Sequence, residues 1–304
     1  MKNVVFVICV MVLGGASHAA IIAGGDAGHL TAPVADPGWN RVGRVGTNGS
    51  GIYLGNGWVL TANHVSDKTT FLVDGDTTYN VMAGSENTYR MRNTTDTADI
   101  DLYMFRVSVP GGSGLEGLGT MPIATSLPGN GTVGTHIGTG EGQTSASATT
   151  YYVDVDPATW VWDTEPFAEA DATVGGYSWA GDASRDTRWN QQVMSNNDFD
   201  FSGMEGFRTN FEAVDEFGMV ADNDSGSPMF FNNGGTWELS GIAISVTGYS
   251  GQPSRTSMYG NDSVYADISA YRDQIVVVVP EIASWSMLAL TGAAALLLRR
   301  KRNR

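Results

Sequence analysis

Gly57-Trp58-Val59-Leu60-Thr61-Ala62-Asn63-His64-Val65 is an apolar strand-like run that ends in a small-residue turn carrying a histidine. Runs of similar length recur at Gly51–Leu54, Thr70–Val73, Leu102–Val107 and Gly241–Val246, in a text broken often by Gly, Asn and Asp. Short apolar runs with frequent turn residues predict strands of a barrel or sandwich. Glycine is abundant (39 of 304 residues), charged residues make up only 16%, and long amphipathic helical stretches are hard to find. The body therefore reads as all-β, and 42% hydrophobic residues suffice to fill its core. The segment from about Ser145 to Asp215, acidic and rich in aromatics, predicts long surface loops over a few strands. Ile275–Val279 reads as a last strand or as a lead into a C-terminal anchor.

Both ends carry processing patterns. Lys2, the apolar run Val4 to Leu13 and the small residues Ser17, Ala19 and Ala20 predict a secretory signal peptide over residues 1–20, too short to span a bilayer. Residues 276–304 hold Pro280-Glu281-Ile282, an apolar stretch to Leu298 and a basic tail from Arg299 to Arg304. That order predicts a short transmembrane helix with cytoplasmic charges. It also resembles the PEP-CTERM sorting signal of Gram-negative bacteria, with Ile282 in place of the second proline. The resemblance implies an exosortase-like processing enzyme as partner, and a location in the cell envelope or on the extracellular surface. A plain membrane anchor is the alternative.

The single cysteine, Cys9, falls inside the predicted signal segment, so the body has no disulfide. The net charge is −15, and the two ends carry six of the 17 basic groups but one of the 32 acidic ones. The body is thus more acidic still, which argues against nucleic acid as a partner. No cofactor is expected. Zinc is disfavoured by the scarcity of His and Cys. Asp74-Gly75-Asp76 and the acidic residues near 196–216 could offer oxygens to Ca²⁺, but no loop has full ligand spacing, and solvated turn carboxylates are the simpler reading.

Asp222-Asn223-Asp224-Ser225-Gly226-Ser227-Pro228, followed by Met229-Phe230-Phe231, is the second informative stretch. A nucleophilic serine needs a sharp turn and backbone N–H groups aimed at a developing oxyanion, and small neighbours allow a carbonyl to approach. His64 is the candidate base. His29, in a Gly-rich lead-in, and His136, within Gly134-Thr135-His136-Ile137-Gly138, read as surface or packing residues.

Residues 57–65 resemble the histidine motif of trypsin-like (chymotrypsin-fold) serine peptidases, Trp-Val-Leu-Thr-Ala-Ala-His, with Asn63 replacing one alanine. Residues 223–228 resemble that family's Gly-Asp-Ser-Gly-Gly-Pro motif, and the two stand in the family's order. The resemblance covers residues 21–275 and implies a double antiparallel β-barrel with a cleft between the barrels. It implies peptide-bond hydrolysis of a protein or peptide substrate by His64, an aspartate and Ser225. The aspartate is Asp101 or Asp99. Asp101 is preferred because it places Arg106 at the family's basic position.

The resemblance further implies an oxyanion hole from the amides of Asn223, where the family has glycine, and Ser225. It assigns Asp224 to a freed N-terminal ammonium. Ile21-Ile22-Ala23-Gly24-Gly25 resembles the activated N-terminus, so cleavage after Ala20 would expose it directly; a flexible Gly-rich arm is the alternative. Counting back from Ser225 puts Met219 at the base of the specificity pocket, and Ser245 lies on the expected substrate-pairing strand. The rival readings are a catalytically inactive homologue acting as an extracellular binding or matrix protein, and a structural β-rich envelope protein.

Overall fold

Gly55 faces Trp58 across a hairpin whose two loop residues, Asn56 and Gly57, both have positive φ (53° and 85°). Asn-Gly is the pair that such a two-residue loop favours, because its backbone twist matches that of the strands it joins. The computed structural model describes residues 20–73, 77–168, 170 and 172–279. The expected signal segment up to residue 19, the Asp74–Asp76 loop and the expected membrane helix and basic tail from residue 280 lie outside the described residues.

In chain order the strands begin with β1 (Ile21–Ile22), β2 (Val42–Val45), β3 (Gly49–Gly55), β4 (Trp58–Ala62), β5 (Thr70–Val73) and β6 (Thr77–Asn80). Next come β7 (Thr88–Arg92), β8 (Asp99–Arg106), β9 (Val133–Gly138), β10 (Thr149–Val153), β11 (Trp162–Asp163) and β12 (Ala172–Ser178). They continue as β13 (Arg188–Phe201), β14 (Met204–Asn210), β15 (Gly218–Met219), β16 (Pro228–Asn233), β17 (Thr236–Val246), β18 (Thr256–Met258) and β19 (Asp262–Asp267). Helix α1 (Arg272–Val278) follows.

The C-terminal half closes as a six-stranded antiparallel barrel, β13-β14-β19-β17-β16-β9. The N-terminal half is a seven-stranded antiparallel sheet, β6-β5-β2-β3-β4-β8-β7. Two barrels were expected, and here the first closes differently. β7 covers the outer edge of β8, so no continuous ladder completes the ring. Instead the sheet curls until Val81, just past β6, bridges Val107, just past β8. Met82 N–H donates to Arg106 O (2.8 Å) and Ser108 N–H to Asn80 O (3.0 Å) across the same seam.

One hydrophobic cluster runs from Val42, Ile52, Leu60, Phe71 and Phe105 of the N-terminal sheet to Phe230, Leu239, Ile242 and Val264 of the barrel. A shared core fixes the relative position of the two halves, since separating them would expose that apolar surface to water. Tyr271, just before helix α1, and Ile275 within it add to this core. Gln274 of α1 accepts from Arg92 N–H (3.0 Å) and donates to Arg92 O (2.8 Å), tying the C-terminal end to β7.

The barrel interior carries a polar group set as well. His136 Nε2 lies 2.7 Å from Ser227 Oγ, and Tyr265 Oη donates to Gln192 Oε1 (2.9 Å). Burial in this interior pulls the His136 imidazole down to about 3, so it is neutral at ordinary pH.

Two expectations are corrected. The region 145–215 holds more strand than expected: it contributes β10 to β14, of which β13 and β14 belong to the closed barrel and β11, β10 and β12 form a four-stranded sheet with the distant β18. β13 alternates in burial along its first half, but its inward residues Arg188, Asn190 and Gln192 are polar, so the alternation does not show as hydrophobicity. Residues 275–278 are helical, not strand, because Ile275 faces the core while Val277 points to solvent. Among the described residues no helix is long and apolar enough to cross a membrane.

Candidate active site

His64 lies two residues past the end of β4, and β4 pairs with β8 so that Ala62 faces Leu102. One residue further along this ladder the backbone continues, Asn63 N–H donating to Asp101 O at 3.2 Å. Strand register alone thus brings Asp101 beside His64. Its carboxylate grips the histidine twice, Oδ1 accepting from His64 N–H (2.8 Å) and Oδ2 facing Nδ1 at 2.6 Å. An ionised carboxylate can only accept, so Nδ1 carries the proton and Nε2 of the neutral ring is an acceptor. Nε2 lies 2.7 Å from Ser225 Oγ. Asp99 turns elsewhere, pairing with Arg90 Nε (3.1 Å) and Arg92 Nη1 (3.2 Å).

Ser225 crosses from the barrel half to the sheet half. Its carbonyl accepts from Ser50 N–H on β3 (2.8 Å), and Gly226 next to it has φ 92°. Only glycine fits there: a Cβ would sit 2.1 Å from Ser50 O and 2.3 Å from Thr61 Oγ1. Thr61 Oγ1 itself donates to Ser50 O (2.7 Å), which welds β3, β4 and the serine turn together. The His64 side chain remains 45% exposed and that of Asp101 26%, so the site is open to a ligand. Lys68 donates to the carbonyls of Asn63 (2.8 Å) and Val65, which flank His64, with its ammonium 5.0 Å from the Tyr103 ring centroid.

The peptide planes of the serine turn decide where its amides point. Asp222 O accepts from Glu141 N–H (2.8 Å), and Asp224 O accepts from Ser227 N–H (2.8 Å). In a trans peptide the N–H is opposite the C=O. The N–H groups of Asn223 and Ser225 are thereby turned away from those partners, and among the described residues neither donates to a protein acceptor. Asn223 adopts φ 68°, the left-handed conformation that Asn tolerates better than most residues. Its carbonyl accepts from Ser50 Oγ (2.9 Å) and its side-chain amide donates to Asp182 Oδ1 (2.9 Å).

Asp224 is fully buried and accepts from Gly140 N–H (2.7 Å) and Ala221 N–H (2.9 Å). Burial pushes its carboxyl up to about 6, against the pull of those two bonds and of Arg185 and Arg188. The segment preceding Gly24 is not a loose arm. Ala20, Ile21 and Ile22 are fully buried, β1 pairs with β15, and Gln143 clamps Ile22 through Ile22 N–H (2.7 Å) and Ile22 O (3.0 Å).

Met219 is buried on β15 in a cluster with Ile21, Tyr177, Phe211 and Ala221, so its side chain fills core space there. Ser245 is half-buried near the end of β17, with Oγ 3.4 Å from Val246 O. A cavity of about 290 Å³ opens beside Asp101, walled by Asp99, Phe201, Ser202 and Met204. His29 packs on Trp189 at 4.2 Å between ring centroids. Asp74 and Asp76 lie outside the described residues. Among those described, no three His, Cys, Asp or Glu side chains converge as metal ligands would.

Sequence reasoning missed Ser50, Gly140 and Asp182. The Gly49-Ser50-Gly51 run was the one available signal, since glycines inside a strand mark close backbone approach.

No protein-family model and no curated protein matches the chain. Among solved structures it is similar to neuropsin, a serine protease expressed in the limbic system of mouse brain. The TM-score is 0.49 and the sequence identity 14%, over 83% of this chain and 98% of that one.

Proposed function

We propose that this protein is a serine endopeptidase of the trypsin-like type, acting through Ser225, His64 and Asp101. The observation that carries the reading is the 2.7 Å approach of His64 Nε2 to Ser225 Oγ, with Asp101 on the far nitrogen of the same ring. Ser225 Oγ attacks the carbonyl carbon of a peptide bond while His64 Nε2 takes its proton. The resulting imidazolium gives that proton to the leaving amine, an acyl-enzyme forms on Ser225, and water reverses the sequence. Asp101 holds the ring in the required tautomer and offsets its charge. The amides of Asn223 and Ser225 receive the oxyanion, a contribution of roughly 10²–10³ in rate per donor.

Two features support a working site over an inactive binding homologue: all three side chains meet, and Asn223 keeps its N–H unspent. Residues 1–20 and 276–304 support export, with the peptidase body outside the inner membrane and the tail as an anchor or exosortase substrate. Labelling by a fluorophosphonate probe tests the activity. Folded protein should label, and Ser225→Ala should not; unlabelled folded wild type would favour the binding role.

A further inference from the structure

We propose that Asp182 is a positioning residue that holds the oxyanion-binding amide of Asn223, a role that rests on the peptidase reading above. Asn223 holds φ 68°, and among the described residues its N–H donates to no protein acceptor. That φ region crowds the Cβ of an L-residue against its own backbone, so the conformation is held at a steric cost. Relaxation to negative φ would rotate the adjoining peptide planes and turn an N–H away from the developing charge. The Asn223 side chain opposes this by donating to Asp182 Oδ1 at 2.9 Å.

Asp182 can act as an anchor because its own turn is pinned. Gly181 N–H donates to Glu141 Oε2 (3.1 Å), Ser184 N–H to Gly181 O (2.8 Å), and Gly142 N–H to Ser184 Oγ (3.1 Å). Arg255 contacts the Glu141 carboxylate and lies 3.7 Å from Asp222. Glu141 in turn supplies the backbone N–H that orients the Asp222–Asn223 peptide. One network therefore fixes that peptide from both ends, by Glu141 at the carbonyl of Asp222 and by Asp182 at the side chain of Asn223. Asp182 is exposed, so its truncation removes this contact without opening the core.

The test compares second-order rates of inactivation by a fluorophosphonate, whose phosphoryl oxygen occupies the oxyanion position. Expected for Asp182→Ala is a loss of about tenfold, with the thermal midpoint unchanged. Asp182→Asn, which keeps an acceptor oxygen, retains most of the rate. Glycine takes positive φ freely, so in an Asn223→Gly background Asp182→Ala has no further effect. A wild-type rate in Asp182→Ala, or an equal loss in the Asn223→Gly background, overturns the inference while leaving the peptidase reading intact. Folded wild type that does not react overturns both.

Discussion

Gly226 lies against the carbonyl of Ser50 so closely that a Cβ added to it would come within 2.1 Å of that oxygen. This approach joins the barrel's serine turn to the N-terminal sheet that carries His64. Gly226→Ala combines the overlap with a forced φ of 92°. It should destabilise the fold by about 2–4 kcal/mol and reduce fluorophosphonate reactivity by at least about 100-fold. Urea denaturation and probe kinetics on the same preparation measure the two effects, and a near-wild-type rate would mean that the turn docks some other way.

Asp99 and Asp101 share one face of β8, two residues apart, yet only Asp101 reaches His64. Asp101→Asn should lower kcat by roughly 10³–10⁴-fold, by favouring the wrong imidazole tautomer. Asp99→Asn loses only exposed ion pairs with Arg90 and Arg92, so kcat should stay within about twofold. Matched kinetics on any cleavable peptide from a mixed library decide between the two.

Lys68 ties down the carbonyls on either side of His64. Lys68→Met frees that turn and should cost about 3–10-fold in kcat/KM. Lys68→Arg, which can still donate to both carbonyls, should recover part of the loss.

Burial raises the Asp224 carboxyl from 3.8 to about 6. Within that window the folded chain binds the proton more tightly than the unfolded chain, so stability falls as pH rises through it. His136, lowered to about 3, contributes the opposite slope between about 3 and 6.5, which is why the comparison must be with a variant. The stability of Asp224→Asn relative to wild type should rise from pH 4 to pH 7, by on the order of 3 kcal/mol at most. Urea unfolding of the uncleaved chain at several pH values measures it. A flat difference would mean that Arg185 and Arg188 already hold the carboxylate ionised across that range.

The strand runs around Leu60, Phe71 and Leu102 and the His64 and Ser225 motifs were legible in the sequence because each is local. Turn chemistry, apolar runs and small neighbours are properties of a few adjacent residues. The two-residue spacing of Asp99 and Asp101 was not decisive by itself, since residues i and i+2 point the same way from a strand. Register against β4 brings Asp101, and not Asp99, to His64.

The 145–215 region shows the other limit. β12 finds β18 and Met219 finds Phe211 and Tyr177 only when distant segments meet, and no local periodicity announces such partners. The residues themselves determined an all-β chain and supplied a histidine, two aspartates and a serine in suggestive settings. Which aspartate meets the histidine, and which contacts brace that pair, were decided by the tertiary structure, because hydrogen bonds need atoms within about 3 Å, and the packed core shared by Leu60 and Phe230 brings distant segments that close.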